Sequence, residues 1–137
     1  MFDALGLFGD KSGMDFNLEQ KYLEIQQETL ELCSSIDHLA DEADASSVIH
    51  PGILKALQQS KLSNLMVPAK YGGRFEVIDP LAICVAREAM MATSSHLDSL
   101  FALQGIGSYG ITVAGSEEQR QQWLPQVGKA QALPSLG

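Results

Sequence analysis

Three groups of side chains could do chemistry in this sequence, and each has a plainer reading beside it. Glu88 lies on a mostly apolar helical stretch. Burial there would raise its pKa and suit it to general-base work. The commoner role for such a carboxylate is structural, paired with Arg87, Lys70 or a backbone donor. Cys33 and Cys84 stand far apart in helical stretches, and neither belongs to a C-x-x-C pair. His38, His50 and His96 show no metal-ligand spacing near them. Buried free thiols are the expectation, which fits a reducing compartment. The sequence lacks G-x-G-x-x-G after a strand, a P-loop, G-x-S-x-G and H-E-x-x-H. No catalytic residue, cofactor-binding residue or metal ligand is therefore assigned to it.

The stretch Gln104-Gly105-Ile106-Gly107-Ser108-Tyr109-Gly110 is more informative. Three glycines inside a helical pattern cost roughly 1 kcal/mol each relative to alanine, or ~3 kcal/mol together. Close helix–helix contact would offset that, because a missing Cβ lets backbones approach. A slot for an apolar ligand would explain the same small residues. Spacing alone leaves both readings open. His96, next to this stretch, is the one histidine near such a slot; its ordinary role is that of a first-turn residue facing water.

These residues must be positioned by helices. Residues 1–16 lack periodicity and read as an N-terminal tail. A helix of about seven turns follows, with Asn17 as N-cap and Gln20 completing a capping box. Its apolar seam runs through Leu18, Tyr22, Ile25, Thr29, Leu32, Ile36, Leu39 and Ala43, in steps of four and three that share one face. Pro51 suits the first position of the next helix, which turns Ile53, Leu54 and Leu57 inward. Leu65-Met66-Val67-Pro68 is expected to be extended, and Tyr71-Gly72-Gly73 to form a loop with positive φ. Asp79-Pro80 starts a helix that is apolar nearly all round and so buried on several sides. Ser95 with Asp98 caps another, carrying Leu97, Leu100, Phe101, Leu103 and Ile106. Gly115 stops it, and Ser116-Glu117-Glu118-Gln119 forms a capping box for a last helix. Trp123 and Leu124 point that helix at the core, and Gly128 closes it. Residues 129–137 read as the start of a strand. The fold class is all-α, an antiparallel bundle of five or six helices over residues 17–128.

With 137 residues, 45% hydrophobic and 19% charged, the chain has the composition and length of one globular domain. Its net charge of -8 is unevenly placed: in the first 46 residues eleven acids face only Lys11 and Lys21, a balance of -9, and the remainder carries +1. An acidic chain gains nothing from phosphate counterion release, which argues against nucleic acid. The first arginine is Arg74, and the N-terminus has no basic, apolar leader. The apolar stretch from Leu97 to Ala114 contains Asp98 and three glycines, against membrane insertion. A cytoplasmic location is expected.

Val67-Pro68-Ala-Lys-Tyr71-Gly72-Gly73, Ala86-Arg87-Glu88-Ala89 and Ala114-Gly115-Ser116-Glu117-Glu118-Gln119-Arg120 occur in order, followed by Trp123-Leu124-Pro125 and Gly128. This string resembles the acyl-CoA dehydrogenases. The resemblance implies an N-terminal helical domain, with a middle β-domain and a C-terminal four-helix bundle still to come. In the family a threonine–glutamate–proline motif would follow shortly after Gly137. Members are flavoproteins of fatty acid or amino acid catabolism that use FAD to dehydrogenate the α and β carbons of an acyl thioester. Their glutamate base lies in the later domains. The expected contribution of this chain is one wall of the acyl-chain pocket, formed by Ser99, Leu100, Leu103, Ile106 and Gly107. The implied partners are an acyl-CoA or acyl-carrier thioester and the missing domains or a homologous subunit. FAD is not expected to stay on this chain alone. The alternative is a catalytically silent helical interaction module or truncated paralogue.

Overall fold

An apolar seam with helical spacing can be buried only against another surface, and here that surface is helical. In the computed structural model, which describes residues 17–135, α1 (Gln20–Ile36) packs along α4 (Pro80–Thr93) and α3 (Pro51–Ser60). Tyr22, Ile25, Thr29, Leu32 and Ile36 are all buried in that contact. Thr29, the polar residue of the seam, satisfies its hydroxyl on the Ile25 carbonyl at 2.7 Å. The helix does not run unbroken. A 3₁₀ turn at Asp37–Leu39 separates α1 from the short α2 (Ala40–Asp44). Ser35 donates back to the Leu32 carbonyl at 2.7 Å just before the break, a bond that bends helices. The seam still resumes, with Ala43 fully buried.

α5 (Ser95–Ala114) is the central element, touching α2, α3, α4 and α6 (Glu117–Val127). Phe101, Leu97, Ile25, Ile53, Leu57 and Met90 are wholly buried around it. All the regular structure among the described residues is helical: five helices of ten residues or more, the short α2, and 3₁₀ segments. No helix among them is long and apolar enough to cross a membrane.

Local signals fix several helix starts. Asp79 accepts from the Leu81 and Ala82 amides, with Pro80 following at the first position. Ser116 and Gln119 form both halves of the capping box on α6. Gly72 takes φ +92°. At Gly73 a Cβ would overlap the Val67 carbonyl oxygen, so glycine is required there for close approach and not for its φ.

Other expectations are corrected. α1 begins at Gln20 with Glu19 in the N-cap position and no side-chain cap, so the Asn17–Gln20 box does not form. Leu62–Met66 is a 3₁₀ segment, and of the expected stretch only Val67 and Pro68 are extended, because proline fixes its own φ and restricts just the residue before it. Ser94, not Ser95, caps α5. α4 is buried on one face only, through Ala82, Val85, Ala86 and Met90. Leu81, Cys84 and Met91 on its other side are exposed, so only Cys33 is a buried thiol. Trp123 is 42% exposed while Leu124 is fully buried. Residues 129–135 form turns and irregular chain, with no strand among the described residues to pair their backbone. The tail assigned to residues 1–16 lies outside the described residues.

Candidate functional site

A helix buried on one side ordinarily shows charge on the other, and α5 does not. Its inner stripe holds Leu97, Phe101, Gln104 and Ser108, all buried. Its outer stripe holds Ser99, Leu103, Ile106, Gly110 and Val113, again in steps of four and three, and every one is exposed. Leu103, Ile106 and Val113 are 37%, 54% and 56% exposed, so α5 presents a second apolar face outward.

Two clefts of about 400 Å³ each flank this face. The first lies between the start of α5, the 46–49 loop and residues 133–135; Ser99, Leu100, Leu103 and Gln104 line it. The second lies between α5 and α4, lined by Ala102, Gly105, Ile106 and Tyr109 with Ile83 and Arg87.

The structure divides the five residues expected to form a wall. Ser99, Leu100 and Leu103 come together at the first cleft, while Ile106 belongs to the second. Gly107 lines neither. A Cβ there would stand 2.6 Å from Pro134 Cβ and 2.9 Å from the Pro134 carbonyl carbon. Gly105 is also a contact glycine, its Cβ position 2.6 Å from Met66 Sδ. Gly110 has nothing within 4 Å. Close packing thus accounts for two glycines of the stretch, and open space for the third.

Two carboxylates that local spacing misses hold α5 in place. Asp44, from the end of α2, accepts from Ser94 Oγ at 2.5 Å and from the Ser95 and His96 amides at 3.0 Å each. The Ser94 hydroxyl, followed by those two amides, holds its pKa down to about 2 against the cost of desolvation. A carboxylate at a helix N-terminus also meets the positive end of the helix dipole. Asp98, 2% exposed, receives Arg87 in a two-point bond at 2.8 and 2.7 Å, and the Asp98 carboxylate raises the guanidinium pKa. Glu88, the carboxylate singled out for possible basicity, is exposed and lines neither cleft. Arg87, its expected partner, is committed to Asp98. His96 accepts from the His50 amide at 3.0 Å through Nε2, tying the 46–50 loop to α5. Asp44 reaches α5 from fifty residues away, so no local pattern could have shown it. Among the described residues no cluster of His, Cys, Asp and Glu could hold a metal ion.

What this arrangement offers a ligand is apolar burial along a rigid helix. Residues 20–131 match the family model described as acyl-CoA dehydrogenase, N-terminal domain. The chain is similar to the probable acyl-CoA dehydrogenase FadE25 of Mycobacterium tuberculosis, 26% identical over 132 residues, covering 96% of this chain and 33% of that protein. The Mycobacterium bovis protein of the same name gives the same figures. The Mycobacterium leprae protein is 30% identical over 98 residues, covering 72% of this chain and 24% of that one. The chain spans about a third of the length of the curated relatives it matches at this coverage.

Proposed function

The chain belongs to the acyl-CoA dehydrogenase family through its N-terminal domain, and from that membership we propose that the outward face of α5 is one wall of an acyl-chain pocket. The whole protein, in this reading, dehydrogenates the α and β carbons of an acyl-CoA or acyl-carrier thioester with FAD as hydride acceptor, in the cytoplasm. The wall consists of Ser99, Leu100, Leu103 and Ile106, extended by Gly110 and Val113. Gly107, which sets the helix against residues 134–135, is left out of the proposed wall.

The observation that carries this reading is the exposed apolar stripe, a feature that isolated surface helices lack. Burying it against an alkyl chain gains roughly 25 cal/mol per Å² of apolar surface removed from water. The described residues do not fit a flavin dinucleotide by themselves. Arg74, Arg87 and Arg120 are each engaged by a carboxylate, leaving no guanidinium free to clamp a pyrophosphate. No step through the flavin is therefore derived from this domain. Its role is to bind and orient the acyl chain and to exclude water, while the base and the hydride acceptor belong to further domains that would cover the same face.

The test is binding of octanoyl-pantetheine to the chain, followed by calorimetry or NMR. Ile106→Asp and Leu103→Asp should each weaken it at least ten-fold, since a charge would have to be desolvated against the alkyl chain. Val77→Asp, at an exposed site on the loop before α4, should leave it unchanged. Equal affinity in all four proteins would refute the wall.

A further inference from the structure

The 46–50 loop forms one lip of the first cleft, through Ser46, Ser47, Val48 and Ile49. Burial does not hold it there. Val48 and Ile49 are 70% and 47% exposed, and neither belongs to the buried core. Hydrogen bonds inside the loop join only Ser46 to Val48. Among the described residues a single hydrogen bond ties the loop to α5, from the His50 amide to His96 Nε2 at 3.0 Å. The far end of the loop is fixed by His50 itself, the N-cap of α3. Its Nδ1 accepts from the Gly52 and Ile53 amides at 3.2 and 3.4 Å. The usual N-caps are Ser, Thr, Asp and Asn, none of which changes charge near neutrality.

Both rings therefore serve as acceptors, which an imidazole does only while it is neutral. They carry their protons on opposite nitrogens. His50 has Nδ1 bare and Nε2–H toward Glu42, whose carboxylate lies 3.6 Å away. His96 has Nε2 bare and its proton on Nδ1. The next proton taken by either ring must land on the accepting nitrogen, where it would face an N–H. Histidine is the side chain that takes up such a proton between about pH 8 and 5. The nearest charges favour its arrival. Glu42 faces His50, and Asp44 sits at the His96 backbone amide. Asp44 stays ionised across that range, its pKa being about 2. Of the other titratable groups on the surrounding elements, Asp98 of α5 is taken by Arg87. Asp41 of α2, Lys55 of α3, and Asp37 and His38 of the 3₁₀ turn are exposed.

We infer that His50 and His96 form a proton-released latch that holds the 46–50 loop over the first cleft, closed at neutral pH and open in mild acid. Neutral rings close it, so its hold is complete above the histidine range and is lost as pH falls through that range. Release removes one lip of the cleft beside Ser99, Leu100 and Leu103. Its effect on acyl binding rests on the proposed wall; the latch itself does not.

The test uses the 137-residue chain without ligand, so the latch can fail while the acyl wall stands. Ring nitrogen shifts in NMR at neutral pH should show His50 as the Nε2–H tautomer and His96 as the Nδ1–H tautomer. Hydrogen exchange is then followed at the His50, Gly52 and Ile53 amides, corrected for the intrinsic effect of pH. Protection there should fall about five-fold between about pH 7.5 and 5.5, the usual worth of one net hydrogen bond. His50→Asn keeps an N-cap acceptor, and His96→Gln keeps an acceptor for the amide, but neither replacement titrates. Combining the two should make protection of these amides flat over the same range. Protection that does not fall with acidity in the unaltered chain would overturn the inference. So would a fall that persists in the double variant, or a His96 ring protonated on Nε2 at neutral pH. The tautomers and the exchange of the unaltered chain remain decisive even if the double variant does not fold.

Discussion

At Gly107 and Gly110 one residue type serves two different ends on one helix, and substitution separates them. Gly107→Ala would drive a Cβ into the Pro134 backbone, and should destabilise the fold by about 1–3 kcal/mol, the range for overpacking. Gly110→Ala meets open space, and should stabilise the fold by about 0.4–1 kcal/mol through helix propensity and a less flexible unfolded chain. Urea unfolding of both variants reads the contrast. That the glycines were unusual was legible in the sequence; which of them faced another backbone was not, because residues 134–135 lie a full helix and two turns further along. Asp44 makes a second residue-scale prediction. Its folded pKa, about 2, lies below the ordinary aspartate value of 3.8. The stability it contributes is therefore complete above about pH 4 and is lost as pH falls toward 2. Asp44→Ala should cost about 0.5–2 kcal/mol at neutral pH, as lost caps do, the low end being apt for an exposed group. In thermal melts between pH 5 and pH 2 the variant should show a flatter acid limb than the unaltered chain.

Among the elements, those with self-contained signals were readable in advance. The α1 seam, the Asp79-Pro80 start of α4 and the Ser116–Gln119 box on α6 all involve residues within one or two turns of each other. Where a helix end is served from a distance, the local pattern misled. Ser95 and Asp98 look like a cap for α5, yet Asp44 of α2 takes the N-terminal amides and Asp98 turns to Arg87 of α4. The outward apolar face of α5 was legible only as an excess of apolar residues, since a sequence does not say which stripe meets the core. The Arg87–Asp98 pair is what locks α4 to α5 near the second cleft. Arg87→Met would leave a buried carboxylate without its partner and should cost about 2–3 kcal/mol. This is below the 3–5 kcal/mol typical of fully buried pairs because the arginine is itself partly exposed. Pairing the change with Asp98→Leu should recover most of the loss, which a double-mutant cycle in urea would measure.

On α1 exposed acids alternate with the exposed Leu23 and Leu30, whereas the outward stripe of α5 carries no charge. Glu19, Glu24, Glu31 and Asp41 give α1 and α2 a solvated acidic side, while Leu103, Ile106, Tyr109 and Val113 lie exposed together on α5. The proposed function puts the acyl chain on this face. The central claim is that the acyl chain lies on this face, and one measurement tests it most directly. A diazirine placed on the alkyl tail of an acyl-pantetheine can be photolysed on the chain and the adducts located by mass spectrometry. Labelling concentrated on α5 between Ser99 and Val113, and competed away by unlabelled thioester, is the expected result. Adducts spread over the surface, or centred on α1 or α3 with none on α5, would contradict the account.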